Sequence, residues 1–397
     1  MLPQSDQHPD RELLTHDPGV HESYPSGGFE AFTSRGEDRS TIATWLHDAG
    51  YRTALVGKYL NEYRSYTDGM YVPPGWDRWD AFYEDNGRYY DYLMTEDGRL
   101  TWHGHEASDY STDVLANQAV RFVRTTQSPF FLYFATYAPH RPGTPAPRDA
   151  SAFPDLEPAR PPSYNEADVS DKPRWVQSLP LLSPERQARN DRYRLKEDQS
   201  LLAIDRAVGR LVRALADTGR LDNTMIVFMS DNGLVEGEHR LTDKQLPYEE
   251  SIRIPFVVRY DRVVTSPHTD DSHMILNIDL APTFAQLAGI SAPPVDGTTF
   301  LPFLSNPEAQ GRDDFLVEHL GGTKIPTYCS IRTTRYDYTV YQYSDTGEKE
   351  DELYDLSSDP YEMDSVASDP AYSTVRTDLR ERLGVLCAPP PPGSSLP

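Results

Sequence analysis

A chain of 397 residues is long enough for one large or two unequal domains around a substantial core. Its formal charge of −24, from 38 basic and 62 acidic residues, leaves no basic face for a phosphate backbone and argues against nucleic acid as a partner. No apolar run approaches the roughly 18 residues that span a bilayer, and the opening MLPQSDQHPDREL has no signal-peptide hydrophobic segment, so the sequence as it stands reads as soluble and without an export signal.

Residues 1–38 are polar, rich in Asp, His, Pro and Gly, and read as loop. From Ser40 the segment STIATWLHDAG sets Ile42, Trp45, Leu46 and Ala49 between a Ser cap and Gly50, which predicts a short amphipathic helix. YRTALVGKYLNEY then gives a buried strand over 53–57, with Lys58 just past its tip. A second unit repeats this grammar: Leu115, Ala119, Phe122 and Val123 share a helical face, and SPFFLYFATYAPH reads as a buried strand ending at His140.

Residues 141–184 are thick with proline and too long for a mere connection, so they are expected to be irregular, as a lid or binding loop. Leu201, Ile204, Val208, Leu211, Val212 and Leu215 form a helical stripe closed by Gly219, followed by the strand MIVFMS and then by IPFVVRY. Helices alternating with buried strands predict a three-layer α/β domain over 39–314 with a mostly parallel sheet. After residue 314 short Tyr-rich segments predict a small antiparallel sheet over 315–387, and the Pro-rich tail 388–397 is expected to be disordered. Cys329 and Cys387 lie far apart, one beside that tail, so neither a disulfide framework nor a zinc spacing is read and the compartment stays undetermined.

In open α/β sheets the ligand site lies outside the carboxyl ends of the strands, where Lys58, His140, Asp231 and Asn232 all fall. Asp231 and Asn232 are hard oxygen ligands suited to Ca²⁺ or Mg²⁺, and Gly233 lets the chain turn beside them; the same Asp-Asn-Gly also suits a plain turn or helix cap. Lys58 and Lys244 can supply positive charge to an anionic ester, and His140 a proton to a leaving oxygen. A lone Lys is more commonly solvated, and a His before Arg-Pro more commonly pinned in a loop.

Together AGYRTALVGKYLNEY, VPPGWDRW, TYAPHRP, SDNGLVEGEHRLTDKQLPYEESIRIPFVVR, DGTTFLPFL and ELYDLSSDPYE resemble the sulfatase family of the alkaline phosphatase superfamily, in order between residues 13 and 370. The GKYLNEY form is most similar to the branch of N-acetylglucosamine-6-sulfatases and extracellular heparan 6-O-endosulfatases. The resemblance implies an alkaline-phosphatase-like sheet and a sulfuric ester hydrolase, with 6-O-sulfated glucosamine or a related sulfated carbohydrate as substrate. It also implies Ca²⁺ rather than Mg²⁺ at Asp231 and Asn232, and it gives Lys58, His140 and Lys244 the tasks of binding sulfate and assisting departure of the alcohol. His239 is a weaker candidate for substrate contact, and Leu60 stands where many members have His.

The family opens with a strand ending in two consecutive Asp, then Cys-x-Pro-Ser-Arg before Leu-Leu-Thr-Gly, the Cys or Ser being oxidised to the formylglycine nucleophile. Here Leu13-Leu14-Thr15 is kept, Pro9, Asp10 and Arg11 are a faint echo, and no Cys or Ser takes the nucleophile's place, Ser5 being out of register. The reading is therefore an N-terminally incomplete sulfatase, a hydrolase by descent, without its nucleophile and half of its metal site. The alternative is a non-catalytic sulfated-glycan-binding pseudoenzyme. The missing strand belongs inside the sheet, so its neighbours are expected to lack ladder hydrogen bonds and the chain to be marginally stable.

Overall fold

A strand buried on both faces must be apolar along its whole length, and Thr53-Ala54-Leu55-Val56 is fully buried. In the computed structural model, which describes residues 28–63, 71–83, 88–96, 98–321 and 324–397, this run is β1 (Arg52–Gly57). On one side β1 pairs in parallel with β2 (Arg78–Phe82), which continues through antiparallel pairings to β3 (Tyr92–Glu96) and β4 (Arg99–His103). On the other side it pairs in parallel with β5 (Phe130–Ala135). The centre of the sheet, β2–β1–β5, is parallel as expected, and an antiparallel edge of β3 and β4 is added to it. β2 to β4 follow one another through connections too short for a parallel crossover, and their Trp, Tyr and Asp residues hid them as strands.

Helices Ser111–Thr125 and Pro184–Asp217 cover one face, burying Leu115, Ala119, Ala203 and Ile204 against Val56 and Met94. Helices Ile42–Asp48 and Leu280–Ala288 cover the other, so that three layers result. Thr41, not Ser40, caps the first of these. A stretch of the region read as loop is also helical: Gly28–Ser34 packs Phe29 and Phe32 against Leu55 and Trp79. Seven residues are too few for a period to stand out.

After the long helix come β6 (Ile226–Met229), the small hairpin of β7 (Val235–Glu236) and β8 (Thr242–Asp243), and β9 (Phe256–Arg259), antiparallel to β6. Among the described residues β5 has β1 as its one ladder partner and β6 has β9, so the α/β sheet stands in two pieces.

The C-terminal unit is a four-stranded antiparallel meander of β10 (Asp314–His319), β11 (Thr327–Thr333), β12 (Tyr336–Gln342) and β13 (Lys349–Asp355). Helix Ser373–Leu386 closes it, with Leu379 and Leu383 on Ile331, Tyr338 and Leu353. Two expectations are corrected here. Cys329 and Cys387 are joined in a disulfide across 58 residues, because the helix brings Cys387 back to β11. The tail 388–397 is not loose: Leu396 is buried in the same cluster, and the Ser395 amide donates to Gln342 at 2.7 Å.

The proline-rich span is irregular apart from the short helix Arg174–Gln177, but it is tied down. Arg240 donates to the carbonyls of Glu166, Ala167 and Leu179, and Lys172 reaches the carbonyl of Met363. Glu352 gathers the hydroxyls of Tyr248, Tyr341 and Tyr354, which joins the two units through one buried carboxylate.

Candidate functional site

The position of Lys58 follows from Gly57. β1 and β5 approach so closely at their carboxyl ends that a Cβ on Gly57 would lie 1.8 Å from the Ala135 carbonyl oxygen, and the φ of +128° is one that side chains disfavour. The Lys58 amide then donates to that same carbonyl at 2.8 Å, which fixes the lysine at the strand tip. Removal from water lowers its pKa from 10.5 to about 8, Asp231 opposing the shift and Lys244 adding to it.

Asp231 and Asn232 leave β6 at the corresponding end. The Asn232 amide nitrogen donates to the Gly233 carbonyl at 2.7 Å, which turns Oδ1 outward to accept from Lys244 Nζ at 3.2 Å. Gly233 is needed for closeness rather than for a left-handed turn: a Cβ there would lie 2.2 Å from the Glu250 carbonyl oxygen. Lys244 is nearly buried, and it sits between Asp243 and Gln245, both at positive φ. Burial lowers its pKa, partly offset by Asp231 and Asp243.

His140 stands in the turn after β5 with an accessible edge. Its Nδ1 donates to the Arg141 carbonyl at 2.9 Å and lies 3.0 Å from the Tyr137 hydroxyl, so Nε2 is the nitrogen free to exchange a proton with a ligand. Partial desolvation lowers its pKa, with Lys244 and Lys58 adding repulsion. Five of the residues expected at the site, Lys58, His140, Asp231, Asn232 and Lys244, thus share one field.

His239 does not join them. It is fully buried, with Nδ1 2.7 Å from a Glu166 oxygen and its ring against Tyr248, so it is not placed to touch a substrate. Its neighbourhood in the sequence had suggested otherwise. Arg141 was missed: its guanidinium lies 3.5 Å from Glu197 and 3.4 Å from Glu236 and adds positive charge beside Lys244. The HRP triplet was its only signal.

The oxygen chemistry of Asp231 and Asn232 fits a hard divalent cation, although two side chains fall short of the about six to eight oxygens Ca²⁺ takes. The residues read as the nucleophile region, including Ser5, Asp10 and Leu13 to Thr15, lie outside the described residues. The cleft lined by Arg52, Asp77 and Phe122 opens at the amino end of β1, away from Lys58.

A family model described as Sulfatase matches residues 11–290, and one described as N-sulphoglucosamine sulphohydrolase, C-terminal, matches residues 237–388. The chain is similar to an extracellular sulfatase SULF-1 homolog of Drosophila melanogaster, 35% identical over 297 residues, covering 72% of this chain and 26% of that protein. It is also similar to an N-acetylglucosamine-6-sulfatase of Bos taurus, 33% identical over 359 residues, covering 80% of this chain and 63% of that protein. The chain therefore spans less than two thirds of the length of these curated relatives. A structure solved in complex with its substrate D-glucosamine-2-N,6-O-disulfate shares the fold, with a TM-score of 0.78, 23% identity, and coverage of 98% of this chain and 88% of that one.

Proposed function

The chain belongs to the sulfatase family, and from that premise we propose that Lys58, Lys244 and His140 bind the sulfate group of a 6-O-sulfated glucosamine or a related carbohydrate. The observation that carries this reading is the meeting of two lysines, both withdrawn from water, around Asp231 in a chain of net charge −24. Such a local reversal of sign draws an anion out of a repelling surface. The names of the relatives, which include an N-acetylglucosamine-6-sulfatase, support the choice of sugar.

In hydrolysis, the bond between sulfur and the bridging oxygen breaks, water supplies the new oxygen on sulfur, and the departing alkoxide takes a proton. In this reading His140, as the imidazolium, gives that proton from Nε2, while Lys58 and Lys244 balance charge on the sulfate oxygens. Asp231 and Asn232 would supply some of the coordination of Ca²⁺, whose chemistry there is charge stabilisation of sulfate.

The second reading is a glycan binder without turnover. The two cysteines of the chain, Cys329 and Cys387, are joined in a disulfide. That bond supports an oxidising compartment. Calorimetry with 6-O-sulfated N-acetylglucosamine, run beside an assay for released sulfate, tests the proposal. Binding that is lost in Lys58→Ala and Lys244→Ala supports the site; binding without sulfate release selects the binder; no binding in the unaltered chain overturns both.

A further inference from the structure

Behind the segment that carries Lys244 lies a second cluster, with no role in the sulfate reading. Three side chains, two buried and the third, Glu250, half-buried, each have one atom held and one left over. His239 is held at Nδ1, which faces the Glu166 carboxylate at 2.7 Å and therefore carries the proton, so that Nε2 presents a lone pair. Glu250 Oε1 accepts from the Ser163 hydroxyl at 3.5 Å, and Glu362 Oε2 accepts from the Glu249 amide at 2.9 Å. His239 Nε2, Glu250 Oε2 and Glu362 Oε1 are buried and have no hydrogen-bond partner among the described residues.

A ligand atom from each of the three residues lies within 4.8 Å of the other two. His239 and Glu362 are almost wholly inaccessible, at 0% and 1% exposure. Buried polar atoms are ordinarily paired, and two carboxylates this close repel each other unless a cation or a proton stands between them. An imidazole nitrogen with two carboxylate oxygens is a donor set for a borderline cation of the zinc type rather than for an all-oxygen ion. Zinc ligands at about 2.0–2.2 Å from the metal stand roughly 3.3 Å apart, so capture would draw the three residues inward. Glu166, with Lys172 3.6 Å from its other oxygen, is the outer carboxylate that orients the imidazole.

We propose that His239, Glu250 and Glu362 bind one Zn²⁺-type divalent cation that clips the Lys244 segment to the C-terminal unit. His239 and Glu250 bracket Lys244 in sequence, and Glu362 comes from beyond β13, so one ion holds both sides.

The test is metal analysis of the full chain purified after expression with Zn²⁺, together with refolding in Zn²⁺. About one zinc per chain is expected, with at least a tenfold lower occupancy in Glu362→Gln and Glu250→Gln, which keep side-chain shape. Asp231→Ala should retain its zinc, which separates this cluster from the sulfate site. Glu166→Gln should weaken zinc binding about 10- to 100-fold. His239→Ala is the stronger change, and if it does not fold the two Gln variants decide. Absence of zinc in the unaltered chain by both routes would mean that protons occupy the cluster and would overturn the proposal, as would zinc that survives Glu362→Gln.

Discussion

The smaller of the two sheets is the better closed. In the C-terminal meander four successive residues of β11 and five of β12 are buried, and each of these strands has a partner on both sides. In the α/β sheet no residue of β5 or β6 is fully buried, and among the described residues each has a single ladder partner. Yet β5 and β6 carry His140, Asp231 and Asn232 just beyond their ends. Among the described residues, the region that carries the proposed site is thus less tightly built than the C-terminal meander. Loosely protected elements of this kind open at lower free energy than a closed core.

The contrast is sharpest in core truncation. Ile331→Ala in β11 should destabilise by about 2–5 kcal/mol, whereas Phe228→Ala in β6, where the side chain is 39% exposed, should cost about 1 kcal/mol or less. Equal costs in chemical denaturation would erase the difference between the sheets. Next, replacing both Cys329 and Cys387 with Ser should remove about 2–4 kcal/mol, read as a lower melting temperature of the C-terminal unit. A melt unchanged by the replacement would mean that β11 and helix Ser373–Leu386 hold without the bond.

At the site itself, Asp231→Ala should weaken Ca²⁺ binding about tenfold or more, some 1.4 kcal/mol, and Asp243→Ala should weaken it less. Calorimetry giving the same loss for both would remove Asp231 as a ligand. The smallest effect is in pH. Burial lowers Lys58 from 10.5 to about 8, so its charge is present below that value and lost as pH rises through it. Sulfate affinity should fall several-fold between pH 7 and 9, and Lys58→Arg, always charged, should flatten the profile. A flat profile in the unaltered chain would show that Lys58 keeps its proton.

What the sequence disclosed follows from how each element buries itself. Strands 52–57, 130–135, 226–229 and 256–259 announce themselves as short apolar runs, and the apolar stripe after Leu201 marks the second half of a helix that begins at Pro184. The front half of that helix is polar, so periodicity could not reach it. β2 to β4 are written in Trp, Tyr and Asp, whose burial depends on partners far along the chain. Lys58, His140 and Lys244 stood out through resemblance, since a lysine after a strand carries no chemical label. The burial of His239 was not legible, because its partners Glu166, Glu250 and Glu362 are scattered over nearly 200 residues and meet only in the fold.

Gly57 has a consequence for how this chain can vary. With the Ala135 carbonyl 1.8 Å from where any side chain would begin, every single replacement at position 57 must push apart a pair of central strands and displace the adjacent lysine together. Position 57 offers no small step, so variation near this strand tip must travel around it, and the tip stays as a fixed point of the fold.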